Sequence, residues 1–361
     1  MKSQPVKARS LGNFSFARGV GMILVIMGHS CSFMATQNYQ YGYTLFENAV
    51  SVIGEGFMIM FFMISGFSFY KRKFKKCLRT QVKLFLVPYY IVFALIIISK
   101  CLNVIVRHRP FPNVLLPTYL FGLNALGGKV IRGHMVSDIG IFWFIWALFG
   151  GWIIYNQISQ IRNSKLRNIL VLLCVILGWL LTCLSKIYPF CIHAMLLAVG
   201  GLAAGEYIQK NKLLERSWTI TMWAGVMCFS MISLAFGNMK IMQGIWKLGI
   251  LDICGVFSVG LVLMKIFYWI ERKLENSNLC FVRWIEMIGF HSLWIICIHA
   301  YESQVFPWWV LSYYFSPMMS SILCFICRCC AIFIIFFLVK KVRYYIMKYK
   351  RRKNRIVLDP E

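Results

Sequence analysis

The sequence predicts an all-α protein, a polytopic membrane bundle of about ten transmembrane helices, and three observations predict it. Of the 361 residues, 60% are hydrophobic, with a mean hydropathy of +0.68, whereas soluble domains are about 45–50% apolar. The apolar residues gather into runs near the roughly 20 residues needed to cross a bilayer. The Lys and Arg residues between these runs alternate in density: 28 fall on one side of the predicted topology and seven on the other. Positive charge collects on the cytoplasmic side, so the N- and C-termini are both expected inside, which agrees with an even number of spans. A net charge of +27 can signal nucleic acid, but here it sits in short clusters between apolar runs, and nucleic-acid binding is excluded.

In chain order, Met1 to Asn13 carries Lys2, Lys7 and Arg9 and lacks a small-residue cleavage site, which reads as an uncleaved signal anchor. The predicted spans are 17–35, 48–70, 82–103, 139–159, 168–184, 190–208, 217–237, 247–269, 285–304 and 318–340. The fifth is short, as a tilted or partly re-entrant segment would be. Residues 1–345 read as one integral membrane domain and 346–361 as a basic cytoplasmic tail.

The first span carries two costly side chains, Arg18 and His29. Eleven residue steps end about 20° past three helical turns, so both lie on one face, roughly 16 Å apart along the axis. Either alone has an ordinary reading: Arg18 as a snorkelling anchor, His29 as a satisfied core residue. Both should face protein or a wet cavity. His299 of the ninth span, which runs in the same direction, falls at a similar depth. The second span ends in Ser65-Gly66, suited to close helix approach, and runs into a basic segment from Lys71 to Lys83. There Lys76, Arg79 and Lys83 recur at i, i+3, i+7, one helical face. Such a face anchors a helix to lipid head groups or holds a polyphosphorylated ligand.

Segment 104–137, with Arg107, His108, Arg109, three Pro residues, Gly127-Gly128, Arg132 and His134, is too polar and broken to span. Loops of that length are often functional. Span four carries Phe142-Trp143-Phe144, and span six the run Gly200 to Gly205, suited to close packing. Asp252 and Arg328 are intramembrane charges, each a functional candidate or half of a buried pair; Glu286 lies at a span edge. The fourteen Cys lie mostly in apolar runs, and Cys324-x-x-Cys327 lacks a second ligand pair, so no metal site is expected.

These residues resemble a family. Arg18-x10-His29, Phe61-Phe62-Met63-Ile64-Ser65-Gly66-Phe67, the basic run leading to Leu86-Val87-Pro88-Tyr89, Trp143-Phe144-Ile145, Gly200 to Gly205, and Gly289-Phe290-His291-Ser292-Leu293 through His299 occur in the order found in the acyltransferase-3 family of integral membrane acyltransferases. The likeness covers about residues 14–300. The chain departs from the family pattern before Trp143, which Asp138-Ile139-Gly140-Ile141-Phe142 precedes, and at Ile296, where a Tyr is usual. It also departs in the basic helix, where a paired Arg is replaced by Lys76/Arg79 or Arg79/Lys83.

The resemblance implies an enzyme of a bacterial cytoplasmic membrane that moves an acyl group, usually acetyl, from cytosolic acyl-CoA to a hydroxyl of an envelope polysaccharide or lipid-linked sugar. It implies His29 as the catalytic base or acyl carrier, Arg18, Lys76, Arg79 and Lys83 as contacts for the donor's phosphates, and Ser65, Trp143 and His299 as site-lining residues. Acyl-CoA is then a co-substrate, with no bound cofactor, and the bilayer and a glycan acceptor are the partners. A transporter or flippase of a glycan or lipid intermediate is the alternative, weakened by the lack of an evident inverted repeat with broken helices. A non-catalytic relative is a third reading, which the intact Arg18 and His29 oppose.

Overall fold

The computed structural model describes residues 14–35, 44–108, 130–131, 134–135, 140–184, 189–275 and 277–358. Lys2, Lys7, Arg9, Lys186 and most of segment 104–137 lie outside them. All ten predicted runs coincide with helix. The first four helices are α1 (Ser15–Ala35), α2 (Thr44–Phe67), α3 (Phe74–Gln81) and α4 (Val87–Val106). Then come α5 (Trp143–Gln160), α6 (Ser164–Leu184), α7 (Ile192–Lys210), α8 (Ile220–Phe236) and α9 (Ile250–Leu274). The last are α10 (Cys280–Phe290), α11 (Ser292–Val305) and α12 (Pro317–Leu358). Two small antiparallel hairpins, Val130–Ile131 with His134–Met135 and Met239–Lys240 with Ile245–Trp246, are the sheet among the described residues.

Among the described residues, six helices are long and apolar enough to cross a membrane, and seven with the bent pair α10–α11. The apolar part of α1, Ser15–Cys31, and α8 are shorter. The fifth run is longer than its sequence suggests, because α6 begins at Ser164, where the Asn163 side chain accepts the Lys165 and Leu166 N–H groups. The ninth run is not one straight span: α10 and α11 meet at His291 with a 77° bend. The tail from 346 to 358 continues the helix of α12.

α7 is the hub, packed on α2, α5 and α6. Its glycines let backbones meet. A Cβ on Gly205 would lie 1.9 Å from the Met63 carbonyl oxygen, and one on Gly66 of α2 would lie 2.1 Å from that of Leu202. A second such contact joins α1 to α10, where a Cβ on Gly19 would strike the Ile285 carbonyl and one on Gly289 that of Ser15. α12 packs on α1 and α11 from the other side.

Between α3 and α4 the chain forms a π turn, Val82–Leu86. Pro88 gives the physical reason: it has no N–H for the Leu84 carbonyl, and its ring crowds that carbonyl in a regular α-helix. The π turn widens the backbone there without breaking the continuous helix from Phe74 to Val106.

Charged side chains within the apolar helices are held by named partners. Lys265 donates to the carbonyls of Leu213 (3.2 Å), Leu214 (2.6 Å) and Arg216 (2.9 Å). Lys100 donates to Gln304 (3.3 Å). Glu206 accepts from Tyr155 and pairs with Lys210 at 2.6 Å. Glu55 accepts the Ile241 N–H at 3.2 Å. Asp252, fully buried, accepts the Leu248 N–H at 2.8 Å and so ties the turn before α9 to its first helical turn. Of the two intramembrane charges singled out in the sequence, Asp252 thus anchors the turn that leads into α9.

Candidate functional site

The other, Arg328, leads to the site. It lies on α12, 5% exposed, with Nε 3.9 Å from Oε2 of Glu302 on α11. Glu302 is fully buried and has three neighbours. Besides Arg328, it accepts a hydrogen bond from Trp308 Nε1, and its Oε1 lies 2.5 Å from His299 Nδ1. The i, i+3 spacing on α11 brings His299 and Glu302 to one face. A carboxylate there favours the His299 tautomer with its proton on Nδ1, which in the neutral ring leaves Nε2 as the acceptor. That Nε2 is buried, with no hydrogen-bond partner among the described residues.

His29 of α1 faces His299. The two ring centroids are 5.5 Å apart and the planes are inclined by 56°. His29 also lies within electrostatic range of Arg328. The two imidazoles differ in access. His299 is fully buried, whereas His29 is exposed, and a Cβ added at its neighbour Gly28 would meet nothing within 4 Å. The next residue, Ser30, is fully buried and donates to the Ile26 carbonyl at 2.7 Å, while Cys324 of α12 contacts Ser30 and Arg328 and lies within electrostatic range of Glu302. The arrangement is an open imidazole backed by an enclosed one, the latter oriented by a carboxylate that a guanidinium and an indole hold. It can accept a proton at the open ring and keep water from the enclosed one.

Arg18 stands in the first turn of α1, partly buried and within electrostatic range of Glu271 near the end of α9. Oε1 of Glu271 accepts the N–H groups of Phe16 (2.9 Å) and Ala17 (3.1 Å). A carboxylate from another helix therefore caps the positive end of α1. Lys76 and Arg79 on α3 and Lys83 in the π turn are all exposed, while Cys77 and Gln81 of α3 are buried. The approach to α3 is fixed to α5: Arg72 N–H donates to Asn156 Oδ1 and its carbonyl accepts from Asn156 Nδ2, each at 2.9 Å. Arg72 also stacks on Tyr70, 3.9 Å from the ring centre.

The structure thus brings together His29 and His299. Ser65 instead accepts from Trp152 Nε1 at 2.9 Å, tying α2 to α5. Trp143 opens α5 beside Phe144, whose ring stacks on Phe62 of α2. His193 contacts the backbone of Ile241 and Met242, a packing role. Sequence reasoning missed Glu302 and Glu271. Glu302 had a readable signal, a carboxylate three residues after an intramembrane His. Glu271 had none, because it reaches Ala17 across 254 residues. Among the described residues no group of three or more His, Cys, Asp or Glu is arranged to hold a metal ion.

Compared with known families, the chain matches one model, described as an acyltransferase domain of the acyltransferase-3 type, over residues 11–341. No curated protein and no solved structure matches it.

Proposed function

The chain belongs to the acyltransferase-3 family, and on that premise we propose that it moves an acyl group from cytosolic acyl-CoA to a hydroxyl of an envelope polysaccharide or lipid-linked sugar. The observation that carries the reading is the open His29 ring 5.5 Å from an enclosed His299 whose Nδ1 is held by Glu302.

In this reading the ten helical runs cross a bacterial cytoplasmic membrane with both termini inside, and the basic tail 346–361 lies in the cytoplasm. The donor's phosphates meet Arg18, Lys76, Arg79 and Lys83 there. Of these, the lysines act as point charges rather than bidentate clamps. The pantetheine arm follows the α1 face that joins Arg18 to His29, about 16 Å of helix. His29 takes the proton of the acceptor hydroxyl as its oxygen attacks the thioester carbon. The C–S bond then breaks, and the departing thiolate receives that proton from His29, so the ring returns to its starting state. Arg328 and the buried dipoles around it favour the oxyanion formed between these steps.

The test is His29→Ala at normal expression, with mass spectrometry of envelope glycans. Loss of an acyl mass difference between producing and non-producing cells supports the reading. Undiminished acylation in the variant would falsify the role of His29.

A further inference from the structure

The linker between α2 and α3, residues 68–73, holds an aromatic ring clear of the core. Phe69 fixes the start of this linker: it is buried, its ring 4.9 Å from that of Trp152 and 4.7 Å from that of Tyr155, both on α5. Arg72 fixes the end. Besides its two bonds to Asn156, its carbonyl accepts from Gln160 Nε2 at 3.2 Å. Tyr70 lies between these two anchors and is 58% exposed. The Arg72 guanidinium covers one face of the ring, so the exposure belongs to the other face and the edge. The linker leads directly into the basic face of α3: Lys71, Lys73 and Lys75, between Tyr70 and Lys76, are all exposed. It also stands beside the start of α1, because Phe67 meets Phe14 edge to face at 5.3 Å, one helical turn before Arg18.

We propose that the open face of Tyr70 is the subsite for the adenine ring of the acyl-CoA donor, with Arg72 backing the phenol. The inference rests on the acyltransferase reading above, which gives the donor's phosphates partners but its base none. In coenzyme A the adenine lies on the far side of the phosphates from the thioester. With the thioester at His29 and the phosphates at Arg18 and the basic face of α3, the base falls at the cytoplasmic surface, where this linker stands. A purine stacks on an aromatic ring through its π face, a contact worth about 5- to 150-fold in binding. The guanidinium on the opposite face holds the phenol by cation–π attraction and sets a positive charge near the phosphate carried by the adenosine ribose. Because the linker is pinned to α5 at both ends, little ordering of the ring is left for the ligand to impose.

The experiment titrates two ligands onto the full chain in lipid nanodiscs: acetyl-CoA, and the acetyl thioester of phosphopantetheine, which lacks the nucleoside. Tyr70→Ala should weaken acetyl-CoA about 5- to 150-fold and leave the phosphopantetheine thioester unchanged. It should also keep the salt dependence of binding, since no charge is removed. Tyr70→Phe and Tyr70→Trp, which retain a stacking face, should bind acetyl-CoA at least as tightly as the natural protein. Tyr70→Leu, which keeps bulk without a π face, takes the place of Tyr70→Ala if that variant does not fold. Undiminished acetyl-CoA binding without the ring overturns the proposal and is what a tyrosine facing lipid would give. Equal losses for both thioesters overturn it too, and mark a structural role. If acetyl-CoA binds and is turned over but Tyr70→Ala changes neither, the adenine subsite falls and the enzymatic reading stands; if no CoA thioester binds the natural protein, both fall.

Discussion

Glu302→Gln keeps the shape of the side chain and removes its charge, and its consequences follow from three contacts. Glu302 accepts from both His299 Nδ1 and Trp308 Nε1 and faces Arg328 at 3.9 Å. A glutamine has one carbonyl oxygen and one NH2, so it cannot accept on both sides. One N–H donor loses its partner, at a cost of about 1–3 kcal/mol. Arg328, 5% exposed, loses its counter-charge, and breaking a buried pair costs about 3–5 kcal/mol. The fold should therefore be measurably less stable in detergent melting. Turnover should fall about 100-fold, or roughly 2.7 kcal/mol of barrier, because His299 behind His29 loses the carboxylate that holds its ring. Donor affinity should stay the same, since the partners of Glu302 are His299, Trp308 and Arg328, none of them among the cations proposed to meet the donor's phosphates. Adding Arg328→Met removes the orphaned charge, so stability should recover by 2 kcal/mol or more while turnover stays low. The assay is thioester hydrolysis and acyl transfer at saturating donor, beside thermal melting of both variants. Wild-type turnover in Glu302→Gln would refute the orienting role. Recovery of turnover along with stability in the double variant would reduce Glu302 to a structural ion-pair partner.

Three further outcomes are expected. The triple change Lys76→Gln, Arg79→Gln and Lys83→Gln alters exposed side chains, so melting should hold while acyl-CoA binding weakens and loses part of its salt dependence; unchanged binding with unchanged salt dependence would exclude these cations from the donor site. Gly205→Val forces apart backbones that now meet at a glycine, and overpacking of this kind costs about 1–3 kcal/mol; it should lower the melting temperature and the yield of folded protein, and a variant as stable as the natural protein would contradict the close α2–α7 contact. Glu271→Ala uncaps α1 by removing the acceptor of the Phe16 and Ala17 N–H groups, which should cost about 1 kcal/mol; hydrogen exchange at those two amides is the measurement, and unaltered protection would refute the cap.

Much of this was legible in the chain. The apolar run lengths gave helices where helices stand, and Arg18 and His29 were placed on one face by helical period alone. Gly66 and Gly205 already marked a close helix contact, which the structure shows as backbone against side-chain-free backbone. Period is a local property, though, and it could not foretell the break at His291. That break separates α10, bound tightly to α1 through Gly19 and Gly289, from α11, which packs on α4 and α12. Nor could it foretell the π turn from Lys83's neighbourhood, although Pro88 was in plain view.

The sequence by itself determined that this protein is a helical membrane bundle, which way its charges divide, and which face of α1 carries its costly side chains. These follow from hydrophobicity and a fixed rise per residue, quantities that each short stretch carries alone. Only the tertiary structure decided that His29 meets His299, that Arg328 belongs to Glu302, and that Glu271 caps α1. Each of these joins helices distant along the chain. The pairing is set by which surfaces fill one another's grooves and which buried charges find a counter-charge. No stretch of α1 contains the information that a residue 270 positions away will face it.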